Sequence, residues 1–175
     1  NYFDRSDISA LDVSEAERRK IYEDRWAVGG TRFMSSFKDL AVNQAANDTA
    51  AEFVREKIRE IVKDPATAEL LVAKDYPIGT KRICADSGYF ETFNRDNVRL
   101  IDLNANPIER ITPAGLIAGE EAHAFDCLVF ATGFDAMTGT LLRIGIQGRD
   151  GLKLEDKWEA GPRTYLGLMT AGFPN

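Results

Sequence analysis

The sequence has 175 residues, with 22 Lys and Arg against 28 Asp and Glu, one His and two Cys, and 44% of it is hydrophobic. A prior of roughly 150 residues per domain gives one domain, or one domain with a small appendage, and the apolar share excludes intrinsic disorder. The net charge of −6 excludes a clamp on a nucleic-acid backbone but leaves room for a local basic pocket.

The first part of the chain reads as helical. Asp12 or Ser14 caps a helix running through Lys20 to Trp26, and Ser14 with Glu17 has the spacing at which each side chain satisfies the other's orphan amide. Gly29-Gly30 ends it, and Phe33, Met34 and Phe37 fall at the spacing of a short second helix. Asn47 or Asp48 opens the clearest helix, Thr49 to Val62. Its apolar positions Phe53, Val54, Ile58, Ile61 and Val62 share one face, with Glu52, Arg55, Glu56, Arg59 and Glu60 on the other. Asp64-Pro65 is a cap followed by proline at the first helical position, opening a further helix to about Val72.

After Ala73 the pattern turns to strands. Val98 to Leu103 and Ile108 to Thr112 read as strands, Pro113-Ala114-Gly115 makes a turn, and Leu116-Ile117-Ala118 returns. Phe125 to Phe130 is a nearly continuous apolar run, the mark of a strand buried on both faces. Gly148-Arg149-Asp150-Gly151 is a turn, and Thr164 to Leu168 a further extended piece. Helices followed by strands, without βαβ alternation, read as α+β.

The longest apolar runs fall far short of the ~20 residues that cross a bilayer, and no cationic-then-apolar signal segment opens the chain. Cys84 and Cys127, far apart and outside Cys-x-x-Cys spacing, supply no disulfide framework or zinc site and suit a reducing, cytoplasmic setting. The single His123 rules out a multi-histidine metal site from this chain; in its polar, turn-flanking segment it reads as an exposed side chain, not a triad member. No Gly-x-Gly-x-x-Gly, Walker loop, His-Glu-x-x-His or Gly-x-Ser-x-Gly run is present.

Two segments carry chemistry. In Ile78-Gly79-Thr80-Lys81-Arg82 a point-charge ammonium stands beside a planar five-donor fork, a candidate anion pocket in an acidic chain. The plainer reading is a solvated basic turn. Lysine can hold a phosphate, and arginine stays protonated while stabilising a transient anion. In Leu128 to Asp135 an apolar run enters Ala131-Thr132-Gly133, small residues at a strand's C-terminal end, where ligands approach backbone in open α/β sheets. A strand followed by a tight turn is the plainer reading there too.

Lys81-Arg82 followed by Gly88 to Val98, Phe130-Ala131-Thr132-Gly133-Phe134-Asp135-Ala136-Met137-Thr138-Gly139, and Gly161-Pro162-Arg163-Thr164-Tyr165-Leu166-Gly167 together resemble the type I Baeyer–Villiger monooxygenases. The resemblance covers most of the chain and is weakest before about Ala27. It implies an FAD- and NADPH-dependent enzyme that uses O2 to insert one oxygen beside a ketone carbonyl, through a peroxyflavin, giving an ester or lactone. It implies that Arg82 is the catalytic arginine beside the flavin, and that Lys81 helps hold the NADPH 2′-phosphate. Ala131, Thr132 and Gly133 match a cofactor-binding strand end; no metal is implied.

The resemblance further implies an α/β parent, of which residues 1–73 are a helical insertion in the NADP-binding domain. Residues 74–135 are then the later part of that Rossmann-like domain, and 136–175 the return into the FAD-binding domain. Both glycine-rich dinucleotide motifs, the Phe-x-Gly-x-x-x-His signature and the aspartate that partners the active-site arginine are missing. With no initial Met and an ending in Phe173-Pro174-Asn175, the expectation is a central fragment. The rest of the parent would supply the FAD site and the other half of the NADP site, and the fragment alone would be inactive and hold neither cofactor tightly. Its partners are a small ketone and O2, with no nucleic acid and no membrane. Two rival readings remain: a flavin monooxygenase that oxidises nitrogen or sulfur, and a stand-alone, non-enzymatic binding module.

Overall fold

Ser14 begins the helical block in the way its spacing to Glu17 predicts. A computed structural model of the protein describes residues 6–133 and 135–173, which fall into two units, Asn1–His123 and Ala124–Asn175. Phe134, within the second resemblance segment, and the terminal Asn1, Pro174 and Asn175 lie outside the described residues.

In the first unit, α1 (Glu15–Val28) has the Ser14 hydroxyl accepting from the Glu17 N–H at 3.3 Å, and it stops at Gly29, whose φ of 73° is the left-handed turn glycine tolerates. A 3-10 turn, Gly30–Ser35, stands where the second short helix is expected. The next helix, α2 (Gln44–Ile61), begins at Gln44 and not at Thr49: Asn43 caps it by accepting from the Ala46 N–H at 3.3 Å. Asn47 is therefore not a cap but an interior residue, 4% exposed. Its amide is taken up by backbone groups outside the helix, so it has nothing left for capping. α3 (Pro65–Leu71) follows Asp64, whose carboxylate accepts from the Thr67 N–H at 2.8 Å.

These helices close over an aromatic core. Tyr22, Phe33, Phe37, Leu40, Ala46, Ala50 and Phe53 are buried together. Phe33 stacks on Phe53 with ring centroids 5.7 Å apart, and Phe37 meets Tyr22 edge-on at 5.4 Å. The Tyr22 hydroxyl, carried into the core, is satisfied by the Thr49 hydroxyl at 2.8 Å. A second cluster, Ile58, Val62, Ala68 and Val72, packs α2 on α3, with Phe90 and Phe93 against it from the short α4 (Tyr89–Thr92). On the polar side, Arg19 and Lys57 bridge to Glu56 and Glu23 at 2.6 and 2.9 Å, tying α1 to α2.

The β-rich part is smaller than the sequence reading expects. β1 (Ile108–Thr112) pairs antiparallel with β2 (Gly115–Ala118) across the expected Pro113-Ala114 turn, and β3 (Glu121–Ala124) completes a sheet of order β1-β2-β3. His123 lies on β3 with its side chain 13% exposed and Nε2 4.0 Å from Glu121, not in the exposed position expected. Val98 to Leu103 forms no strand, because a strand-like pattern becomes a strand only where a neighbour takes its backbone bonds.

In the second unit the same correction applies to Phe125–Phe130. It forms no strand, and Val129 is 85% and Phe130 67% exposed, where a strand buried on both faces is expected. The unit also holds α5 (Gly139–Arg143) and α6 (Leu154–Lys157). The expected turn at Gly148–Gly151 is a 3-10 turn over Arg149–Gly151, flanked by a Gln147–Lys153 bridge. Leu154 and Trp158 are its buried side chains. Helices with a small, partly antiparallel sheet make the described chain α+β, as its element order predicts.

Candidate functional site

The loop after α3 carries the Lys81-Arg82 pair, and its shape is set by contacts within the first unit. Asn47 reaches out of α2 to the main chain of Ile78: its Nδ2 donates to the Ile78 carbonyl at 2.8 Å and its Oδ1 accepts from the Ile78 N–H at 2.9 Å. The same Nδ2 donates to the Leu40 carbonyl at 2.7 Å, so the buried amide joins three stretches of chain. Gly79 follows with φ +88°, and a Cβ built there would lie 2.8 Å from Met34 Cε. Glycine is needed both for the backbone and for the approach of Met34. The Thr80 N–H then bonds the Pro77 carbonyl at 3.2 Å, closing the turn that presents Lys81.

Lys81 and Arg82 are both exposed. The Lys81 ammonium sits 4.4 Å from the centroid of the Tyr76 ring, a cation–π contact that leaves its outward donors open. Among the described residues of its unit, the Arg82 side chain makes no hydrogen bond or ion pair. Two adjacent cations thus face outward from a fastened turn, the arrangement that a phosphate or a developing anion needs. The solvated-turn reading is right about exposure, while the Asn47 clamp shows that the turn is held from beneath.

In the second unit, Thr132 and Gly133 line an open cavity of about 570 Å³ with Asp135, Thr140, Arg143 and Ile144. Ala131 precedes them, exposed and outside that lining. Gly133 has φ +77° and no heavy atom within 4 Å of where a Cβ would stand, so a ligand can come directly against its backbone. One wall is braced by Arg143, whose Nη2 donates to Asp135 Oδ1 at 2.7 Å. Gly139 is pressed against the same aspartate: a Cβ there would lie 2.8 Å from Asp135 Cβ.

The structure therefore gathers Lys81 and Arg82 on one turn, and Thr132 and Gly133 in one cavity wall. Asn47 and Tyr76, which sequence reasoning passed over, complete the first of these. Tyr76 carried a usable signal, an aromatic five residues before a lysine in one loop. Asn47 carried none, since its partner lies 31 positions away. Cys84 and Cys127 are free and exposed, and no three His, Cys, Asp or Glu side chains gather to hold a metal among the described residues. No helix among them is long and apolar enough to cross a membrane.

No protein-family model matches the chain. Curated proteins do. The chain is 45% identical over 174 residues to 2-oxo-Delta(3)-4,5,5-trimethylcyclopentenylacetyl-CoA monooxygenase of Pseudomonas putida, matching 99% of this chain and 32% of that protein. It is 46% identical to the phenazine N-monooxygenase PhzNO1 of Lysobacter antibioticus, and 44% identical to a Baeyer-Villiger monooxygenase of Pseudooceanicola batsensis, each over 99% of this chain and 32% of the relative. Among solved structures, the crystal structure of OTEMO in complex with FAD and NADP superposes with a TM-score of 0.89 at 45% identity, covering 98% of this chain and 32% of that one. The chain thus spans about a third of the length of the relatives it matches.

Proposed function

As a homologue of the Baeyer–Villiger monooxygenases over about a third of their length, this chain, we propose, serves a protein that uses FAD, NADPH and O2 to insert one oxygen atom beside a ketone carbonyl. The observation that carries this reading is the Lys81-Arg82 turn: two outward cations, held from below, in a chain 44–46% identical to such enzymes.

The residues present fit the cofactors. Lys81 supplies up to three donors to a ribose 2′-phosphate, and Tyr76 behind it attracts the ammonium without using those donors. The Arg82 guanidinium, with no hydrogen bond or ion pair among the described residues of its unit, is available to offset negative charge as it develops on the oxygen-transfer side. It stays protonated throughout, so it gives up no proton. Thr132 and the bare backbone of Gly133 offer a close-approach surface for a cofactor edge, with Ala131 leading into it. When bound, the flavin and nicotinamide supply the redox chemistry; this chain supplies charge, contact and orientation.

On this reading residues 1–73 are the helical insertion of an NADP-binding domain, 74–135 its later part, and 136–175 the return into an FAD-binding domain. The apolar Phe125–Phe130 run supports the assignment, since it has the composition of a central strand yet leaves Val129 and Phe130 exposed. The rest of the parent then supplies the FAD site and the other half of the NADP site. The small-molecule ketone and O2 are its partners, and the exposed free thiols Cys84 and Cys127 suit the cytoplasm.

A second reading rests on a specific observation: the phenazine N-monooxygenase is as similar to this chain as the ketone oxidisers are. The transferred atom would then go to a ring nitrogen. Incubating the full-length protein with NADPH, O2 and either cyclohexanone or phenazine separates the two. Lactone with little N-oxide supports the ketone reading, and N-oxide without lactone overturns it.

A further inference from the structure

We infer that Asn47 is a positioning residue for the Lys81-Arg82 turn, acting from the buried face of α2 on cations it does not touch. The inference rests on the proposed role of that turn. Asn47 is one of two buried polar residues among those described, the other being Ser36. Its carboxamide pairs with Ile78 in the two-point manner of a β-ladder, donating to the carbonyl and accepting from the N–H. The third bond, to the Leu40 carbonyl, fixes the amide's own orientation. Three of its four hydrogen-bonding positions are thus used, in a place where an unmet backbone group is costly. Ile78 is three positions before Lys81, with only Gly79 and Thr80 between them, so a change at Ile78 passes directly to the cations. No hydrophobic side chain could replace this clamp, because it needs a donor and an acceptor presented together to the main chain of one residue.

The test uses the full-length protein and two independent readouts. Asn47→Ala is expected to raise the KM for NADPH about fivefold or more, the scale of losing a buried hydrogen bond, with kcat changed less. Amide exchange at Ile78 to Arg82 is expected to speed up about tenfold or more while α1 and the remainder of α2 keep their protection. Thr49→Val is the matched control: it breaks the Tyr22–Thr49 bond in the same helix without touching Ile78, and it should leave both readouts in place. Should Asn47→Ala fail to fold, Asn47→Asp keeps the acceptor for the Ile78 N–H and removes the donors, and the same local exchange is read. The KM effect should also fail to add to that of Lys81→Ala, since both act on one contact. Unchanged exchange at Ile78 to Arg82, or a KM effect fully additive with Lys81→Ala, overturns the inference. If Lys81→Ala itself leaves the KM for NADPH unchanged, it is the phosphate role of the turn that has failed, and local exchange alone then decides the clamp.

Discussion

Lys81 holds its ammonium 4.4 Å from the centroid of the Tyr76 ring, so the charge assigned to a phosphate rests on an aromatic face within its own loop. The ring attracts the cation without consuming a hydrogen-bond donor, which leaves those donors open to a ligand. Lys81→Ala is expected to raise the KM for NADPH about tenfold with little change in kcat, because a phosphate contact is made equally in ground and transition states. Tyr76→Leu should do the same more weakly, losing about 0.5–1 kcal/mol. Steady-state kinetics with varied NADPH check both.

Gly79 is the hinge of that turn. Its φ of +88° strains any residue with a Cβ, and the space for one is occupied by Met34 Cε at 2.8 Å. Gly79→Ala is expected to destabilise the first unit by about 1–2 kcal/mol, mostly as backbone strain, because the Met34 side chain can move aside. Denaturant unfolding of Gly79→Ala alone and combined with Met34→Ala separates the two parts: relief by the second substitution measures the clash, and what remains is strain.

The charged face of α2 and α3 has its own acid signature. Glu69 accepts from Arg59 Nε at 2.7 Å and faces Lys74 Nζ at 2.9 Å, and these partners pull its carboxyl from 4.5 down to about 2. A carboxyl held below its unfolded value stabilises the fold above about pH 4.5. That contribution is lost as pH falls toward about 2. Carboxyl NMR should find Glu69 titrating near the low end of that window, and Arg59→Gln should raise it toward 4.5, with Lys74 still holding it below. The pair is exposed, so high salt should narrow the shift.

Local punctuation carried much of the helical block. Ser14 and Asp64 cap where their spacing predicts, and Phe53, Ile58 and Val62 bury as their periodicity requires. The start of α2 was misread because Asn43, Asn47 and Asp48 are all good caps, and the first turn, Gln44-Ala45-Ala46, has no large apolar residue to mark it. Only the folded chain tells which asparagine caps and which clamps. The two strands that did not form, Val98 to Leu103 and Phe125 to Phe130, have strand-like patterns, but pattern alone does not supply a hydrogen-bonding neighbour. The site divided in the same way. Lys81 and Arg82 stood out as adjacent cations after a glycine, and Thr132-Gly133 as small residues after an apolar run. Tyr76 and Asn47 became visible only through distances between chain segments.

The proposed mechanism turns on Arg82. Its side chain bonds nothing among the described residues of its unit, so Arg82→Lys should leave the melting temperature within the small range of a surface substitution, keep the positive charge, and lose the planar fork. The most direct measurement is ketone oxygenation by full-length Arg82→Lys, read as ester or lactone formed with saturating NADPH and O2, beside a melting curve. An intact fold with product formation reduced about hundredfold or more is the predicted result, the scale of removing one charge-stabilising group from a transition state. Near-normal product formation by the same folded variant would contradict it.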